Sequence, residues 1–448
     1  ALGFQALRAN TTGASNVGVG YRALYANTTA AGNVAVGPAA LTANTTGATN
    51  TAVGNEALDA NTTASNNTAV GHASLGAATT GAENAAFGSN AASAVTVGTQ
   101  NTALGAYALI NDTPGSSCVA VGHQAINAQN LTSATSVYNV AVGANAGASV
   151  TTGVENTLIG SLAGDALTDA DENVAVGMHA LSADTLGSRS TAVGYYALKQ
   201  QNFTSATDTY NTAIGFYAGL NITTGIANTF VGGLAGDATT TANYNTALGY
   251  GTLTTNSTGA HNTAIGSDAL GQSTTASDNT AIGSSALYAN TTGTNNTAVG
   301  RRALSQNTTG GSNTAVGIDS LKLNTTGETN VAVGRRALED NTTGGNHIAM
   351  GYGALRNNTT ASNNVALGYL AMDANTTGNS NVAIGFASLD ANTTADGNTA
   401  VGYGSLSANT TGTQNAALGY NAGSAQTTAS HNTFIGAYSG LNTTTGNY

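Results

Sequence analysis

Residues 296–312, NTAVGRRALSQNTTGGS, are one copy of a 17-residue unit that recurs down the whole chain. Internal periodicity of this kind is read first, because each copy must repeat one piece of structure. Numbered from its leading Asn, the unit runs Asn-Thr-Ala-Val-Gly, two variable residues, Ala-Leu, two variable, Asn-Thr-Thr-Gly, two variable. Twenty-six units fill the 448 residues. The first enters at unit position 3 with Ala1, the last is 432–448, and two of them, 118–138 and 190–210, are 21 residues long. Position 5 is Gly in every unit, among them Gly20, Gly37, Gly215, Gly300 and Gly436. Position 4 is always a bulky apolar residue, and position 1 is Asn except at Cys118, Ser190 and His347.

The unit reads as one coil of an all-β, parallel β-solenoid. Positions 2 to 4 are a short β-rich segment ending at the Gly, positions 8 and 9 are a second short apolar segment, and Asn-Thr-Thr-Gly is turn chemistry in which Asn bonds its own backbone and Gly supplies positive φ. Gly and β-branched residues interrupt every candidate helix before three turns form. Two strands and two turns per coil, stacked about 4.8 Å apart, predict a single continuous domain over 1–448 and a rod on the order of 120 Å long. The position 5 Gly marks a corner where a Cβ would clash. Asn at position 1 (Asn33, Asn50, Asn296, Asn313, Asn330) predicts a ladder of amide hydrogen bonds along the stack.

Three comparisons between units support one coil per unit. Position 3 is small except at Leu158, Phe230 and Phe434. Each of those units and the one before it has Gly instead of Leu at position 9: Gly147 and Gly164, Gly219 and Gly236, Gly423 and Gly440. Close packing explains the exchange if positions 3 and 9 share one interior. Position 10 alternates in sign over Lys322, Glu339, Arg356 and Asp373, and position 7 over Arg302, Asp319 and Arg336, which predicts charge ladders that hold register. Residues 118–189 and 190–261 are a duplication, each opening with a 21-residue unit whose extra residues form an outward loop.

Composition narrows function. Charged residues make up 7% of the chain, with a net charge of -11 and no basic stripe, which argues against nucleic acid and anionic membrane surfaces. No apolar run approaches the length of a membrane span, and direct membrane insertion is not expected. Cys118 is the single cysteine, so no intrachain disulfide forms. The chain begins in mid-unit and reads as a segment of something longer, with any anchor or export signal outside it.

The motif N-[TV]-A-[VI]-G followed by Ala-Leu and a Gly-bearing turn, as at 33–37 (NVAVG) and 381–385 (NVAIG), resembles the head repeats of trimeric autotransporter adhesins and the related repeat shafts of phage and bacterial tail-fibre proteins. The resemblance covers the whole chain, although the unit here is longer. It implies a left-handed roll in which three chains pack side by side. A thin, Ala-filled coil also gains burial if chains associate through Ala-rich faces.

No catalytic constellation emerges. The six His fall at different unit positions with no two on adjacent coils, so neither a metal site nor a triad is expected. The stretch Asp165, Asp169, Asp171 and Glu172 could hold calcium only loosely and reads first as a solvated turn. Asn-Thr-Thr triplets, as at Asn10 and Asn290, match an N-glycosylation acceptor, but as recurring turns they have a structural reason. Aromatic residues recur at positions 6 and 7 (Tyr195, Tyr217, Tyr352, Tyr369, Tyr403 and Tyr420 among them), a ridge suited to contact with a glycan, a protein or another copy. The sequence therefore predicts a non-enzymatic extracellular fibre or shaft at a cell or virion surface, without cofactor, homotrimeric, providing extension and attachment. Two alternatives are a self-assembling filament subunit and a flat-faced solenoid that binds ice or crystalline polysaccharide.

Overall fold

A computed structural model describes residues 1–446, so the last two residues of the final unit lie outside the described residues. The chain divides into two compact units, Ala1–Ala227 and Asn228–Tyr448. Each is a parallel β-solenoid with about 17 residues per turn, and the described residues contain no helix. Positions 2 to 4 form a three-residue strand in every coil but the first, where Leu2 makes an isolated bridge to Val19: twelve from Val17–Val19 to Thr212–Ile214 in the first unit, thirteen from Thr229–Val231 to Thr433–Ile435 in the second. Within each unit neighbouring strands pair in parallel and in register, with Thr314 on Val331, Ala315 on Ala332 and Val316 on Val333 as one example. Each unit position therefore forms a column of equivalent residues.

The second apolar segment is not a strand. Arg302, Leu304 and Ser312, at positions 7, 9 and 17, have φ of 56°, 50° and 58°, and the same positions are left-handed in most coils. A left-handed residue beside extended or turn neighbours swings its peptide along the stacking axis. Its N–H then meets the adjacent coil: Arg302 donates to Ser284 O at 3.0 Å, Leu304 to Ser320 O at 3.0 Å and Ser312 to Thr294 O at 3.0 Å. Each such residue costs about 1–2 kcal/mol, and a coil-to-coil hydrogen bond offsets it. The positive φ expected at the turn glycine of position 15 is also displaced, since Gly310 lacks it and position 17 carries it instead.

Position 5 is glycine for two reasons. Gly20, Gly37, Gly215 and Gly300 have φ between 134° and 140°, which side chains avoid. A Cβ on Gly20 would also lie 2.5 Å from the carbonyl oxygen of Gly37, and one on Gly300 2.6 Å from that of Gly317. Gly436 has φ 108° with nothing within 4 Å of such a Cβ.

The interior is built from positions 1, 3, 8, 9, 12 and 15, as Asn296, Ala298, Ala303, Leu304, Asn307 and Gly310 show. The alanines of positions 3 and 8 are thus inside each roll and are not available for contact between chains, whereas those of position 11, such as Ala26, Ala43 and Ala60, are half-buried. Positions 2 and 4 point outward instead, because alternate strand residues face opposite sides. Leu158 and Phe230 are buried, and Phe434 is 7% exposed. A Cβ on Gly147 would lie 2.7 Å from Leu158 Cδ1, one on Gly164 2.8 Å from Leu158 Cδ2, and one on Gly236 2.6 Å from Phe230 Cε2. Gly423 and Gly440 likewise lie against the Phe434 ring. Gly219, at φ 59°, belongs to the first unit. Position 12 shares in the exchange, holding Val150 and Leu167 where most coils have Asn.

Candidate functional site

The structure places two columns of asparagine in each interior, and they do different work. At position 1 the side chain bridges a coil to the next through the backbone. Asn33 Oδ1 accepts the backbone N–H of Asn50 at 2.8 Å, and Asn313 Oδ1 that of Asn330 at 3.0 Å. Each Nδ2 crosses its own coil to the position 15 carbonyl: Asn33 to Gly47 at 2.8 Å, Asn296 to Gly310 at 2.9 Å. The rungs expected between side-chain amides are therefore mostly amide-to-backbone.

The amide-to-amide ladder lies at position 12, which the sequence reading assigns to the turn. Asn307 Nδ2 donates to Asn290 Oδ1 at 2.8 Å, Asn324 to Asn307 at 2.8 Å and Asn341 to Asn324 at 2.8 Å. The run continues through Asn358, Asn375 and Asn392 to Asn409. The second Nδ2 hydrogen goes to the carbonyl at position 15, as from Asn307 to Gly310 at 2.8 Å. That carbonyl uses both lone pairs, one for each asparagine column. The ladder stops where its residue type stops: among the described residues Asn61 Oδ1 and Asn409 Oδ1 have no partner, and the next coils carry Ala78 and Gln426. Because Asn290 is fully buried with its amide committed, the Asn-Thr-Thr triplet there is closed to N-glycosylation in the folded protein.

The three exceptions at position 1 are local substitutions of this network. His347 reproduces Asn: Nε2 lies 2.7 Å from Ala361 O, and Nδ1 accepts the N–H of Asn364 at 3.2 Å. Burial holds its pKa down to about 4. Cys118 and Ser190 make room for a longer residue at position 12 of the 21-residue coils. Gln129 Nε2 reaches Cys118 Sγ at 3.2 Å and Asp112 Oδ2 at 2.8 Å. Gln201 Nε2 reaches Ser190 Oγ at 2.7 Å and Asp184 Oδ2 at 2.6 Å. Burial pushes the Cys118 thiol up to about 12. Burial also raises Asp112, against the lowering effect of the Gly115 N–H and Gln129.

The charge columns resolve into pairs. Lys322 meets Glu339 at 3.7 Å, Arg356 meets Asp373 at 2.9 Å and Arg302 meets Asp319 at 2.8 Å. Arg336 turns to Glu339 in its own coil at 3.4 Å. Among the described residues no ion pair joins Glu339 to Arg356 or Asp319 to Arg336. A carboxylate that meets its own column's cation on one side leaves the other side unlinked, so the columns are not continuous ladders.

Both 21-residue coils carry exposed loops, with Tyr138 and Tyr210 turned to solvent. Arg189 ties the second loop down, pairing with Glu172 at 3.1 Å and with Asp208. Asp169 and Asp171 are engaged by neighbouring coils, through Thr152 Oγ1 at 2.5 Å and the Val154 N–H at 2.8 Å. Among the described residues no group of three or more His, Cys, Asp or Glu could hold a metal ion, and no helix is long and apolar enough to cross a membrane.

Three columns face solvent. The first is the strand face, where position 4 exposes apolar side chains such as Leu104, Ile214, Leu248, Met350 and Leu418, the last 54% exposed. The second is position 14, which is an exposed Thr in all thirteen coils of the second unit. The third is position 6, where Tyr352, Tyr369, Phe386, Tyr403 and Tyr420 stack at centroid spacings of 5.0–5.2 Å. Phe386, which the sequence reading passes over, joins the tyrosines into one unbroken stack. No protein-family model matches the chain, and no curated protein matches it, so these columns alone carry its functional reading.

Proposed function

We propose that this chain is a non-enzymatic segment of an extracellular fibre at a cell or virion surface, that it associates with two further copies, and that it provides extension and attachment. The exposed apolar strand face carries this reading. In the second unit alone, thirteen three-residue strands at about 4.8 Å spacing and about 3.3 Å per residue span roughly 600 Å² of flat surface. Its outward residues are apolar at position 4 in every coil and Thr at position 2 in eight of the thirteen, so an unbroken apolar column runs beside a largely hydroxylated one. That face is about three-quarters of the roughly 800 Å² per partner of a standard stable interface. Two further copies have the same column spacing, so three strand faces turned towards a common axis meet in register along the stack.

Light scattering of the intact chain tests the reading. A mass three times that of the chain supports it. Val316→Asp together with Met350→Asp, on the outward face, should then reduce the mass to one chain without loss of β-structure. A stable monomer of the natural sequence at every concentration would sink it.

A second reading, a solenoid that holds a crystalline surface, draws on the threonine column at position 14. Position 13 hydroxyls are engaged by the next coil, as Thr308 Oγ1 is with Thr325 O at 3.0 Å, whereas the position 14 residues face solvent. Binding to insoluble polysaccharide, or slowed ice recrystallisation, abolished by replacing Thr326, Thr343 and Thr360 with Val, distinguishes it from the fibre.

A further inference from the structure

We infer that Leu418 of one copy seats in a notch over Ala416 of the next, at the same level of the stack, and so fixes the axial register between copies. The inference rests on association through the strand face and names the contact by which the copies lock. An open notch is its first support. In the second unit a cavity of about 250 Å³ is lined by positions 2 and 4 of three successive coils: Thr399, Val401, Ala416, Leu418, Thr433 and Ile435. Position 2 is Thr on the coils to either side, and Ala416 lowers the surface between them. The space exceeds the about 150 Å³ void that takes a benzene-sized group, so it admits an isobutyl side chain. Its own Leu418 does not fill it. Leu104 beside Thr102 and Leu248 beside Thr246 are 47% and 46% exposed, whereas Leu418 beside Ala416 is 54% exposed.

A volume exchange between units is the second support. Ala stands at position 2 only at Ala85 and Ala416. Those coils carry Phe87, the one Phe at position 4, and Leu418. Coils with Thr or Val at position 2 mostly have Val or Ile at position 4. Absence at one outward position thus goes with bulk at the other outward position of the same coil, as close packing requires of residues that meet. Ile348 and Met350 are large together, and there the bulk at position 4 is an adaptable thioether.

Symmetry makes those two positions neighbours. A rotation axis along the stack keeps every coil at its own height and reverses left and right between facing strands. Position 4 of one copy then meets position 2 of its neighbour in the same coil. An axis lying along the strands would instead set position 2 against position 2 of a different coil. Only the first arrangement makes Leu418 and Ala416 complementary, and it brings the leucine of one copy to the notch of the next.

Disulfide trapping of the intact chain tests it, with Ala416→Cys/Leu418→Cys in a Cys118→Ser background, Ser being the natural residue at the equivalent Ser190. Within one chain the two Cβ atoms are about 6.6 Å apart, beyond the about 3.5–4.5 Å of a disulfide. Linkage under a mild oxidant therefore reports a neighbouring copy. The double variant should link into the oligomer whose mass light scattering gives before oxidation. Ala416→Cys alone, Leu418→Cys alone and the offset pair Ala416→Cys/Val401→Cys should each give at least about tenfold less linked chain. An associated double variant that does not link, or equal linkage in the single or offset variants, overturns the inference and leaves association through the face standing. A natural chain that stays monomeric overturns both. If only the double variant is monomeric, filling the notch decides. Ala416→Leu should raise the concentration needed for association at least about tenfold, and Ala416→Leu/Leu418→Ala should restore it. Absence of either effect overturns the inference.

Discussion

His347 Nε2 lies 2.7 Å from the carbonyl oxygen of Ala361, the same relation that Asn330 Nδ2 makes with Gly344 one coil earlier at 3.0 Å. Because Nδ1 accepts the Asn364 N–H, the proton sits on Nε2 and the ring is neutral. An imidazole has thus replaced a carboxamide donor for donor and acceptor for acceptor.

A pH dependence follows from that replacement. Burial lowers the His347 pKa from 6.5 to about 4. Between those values the unfolded chain binds a proton that the folded chain refuses. The contribution is therefore complete above pH 6.5, falls as the pH drops towards 4, and amounts to at most about 3 kcal/mol. His347→Asn should remove this component. The stability difference between variant and natural chain, measured in denaturant at pH 7 and at pH 4.5, should grow in the variant's favour at the lower pH. A constant difference would place the proton elsewhere.

In the position 12 ladder, Asn324→Ala removes the donor to Asn307 Oδ1 and Gly327 O, and the acceptor of Asn341 Nδ2. Buried groups left without partners cost about 1–3 kcal/mol each, so destabilisation of about 3 kcal/mol or more is expected from chemical unfolding. Thr326→Ala, exposed two residues on, should change stability by less than about 0.5 kcal/mol. Similar losses for the two would mean that the ladder adds nothing to the coil.

Leu158 and Gly147 should show coupling of a definite sign. Leu158→Ala opens a cavity and costs about 2–5 kcal/mol. Gly147→Ala brings its Cβ to 2.7 Å from Leu158 Cδ1, while its next neighbour, Val150 Cγ2, stands at 3.4 Å. With Leu158 removed, the added methyl fills space instead of clashing. A double-mutant cycle should give at least about 1 kcal/mol of favourable coupling. Additive costs would show that the two positions do not share one interior.

Cys118 should be silent to thiol reagents in the folded chain. It is fully buried, and its thiol is pushed up to about 12, so the reactive thiolate is scarce and shielded. Labelling by a disulfide reagent should appear only as fast as the coil opens. Rapid stoichiometric labelling in native buffer would contradict the buried Gln129 contact.

The glycine column and the exchange at Leu158 and Phe230 were legible in the sequence because stacking makes volume a local conserved quantity. A large residue in one coil needs an absence in the same coil or the next, and repeats compared with one another reveal it. The strand at positions 2 to 4 was legible for the same reason, as a β-rich run closed by a residue with no side chain. The second apolar segment was misread because an apolar pair such as Ala303–Leu304 carries no periodicity. Only the left-handed φ of Leu304 turns it from a strand into a corner, and that conformation is selected by hydrogen bonds to the adjacent coil.

The two asparagine columns divide along the same line. The repeat alone determined that Asn stands at positions 1 and 12, that coils stack in register, and that like residues form columns. Which amides meet each other was decided only in three dimensions. The position 1 side chain lies level with the backbone N–H of the next coil, and the position 12 side chain lies level with its own counterpart. Equally, composition marked position 4 as apolar, but strand alternation turned Val316 outward and Ala315 inward. A side chain's facing depends on the backbone that carries it, and in this chain that backbone takes its shape from the coils above and below.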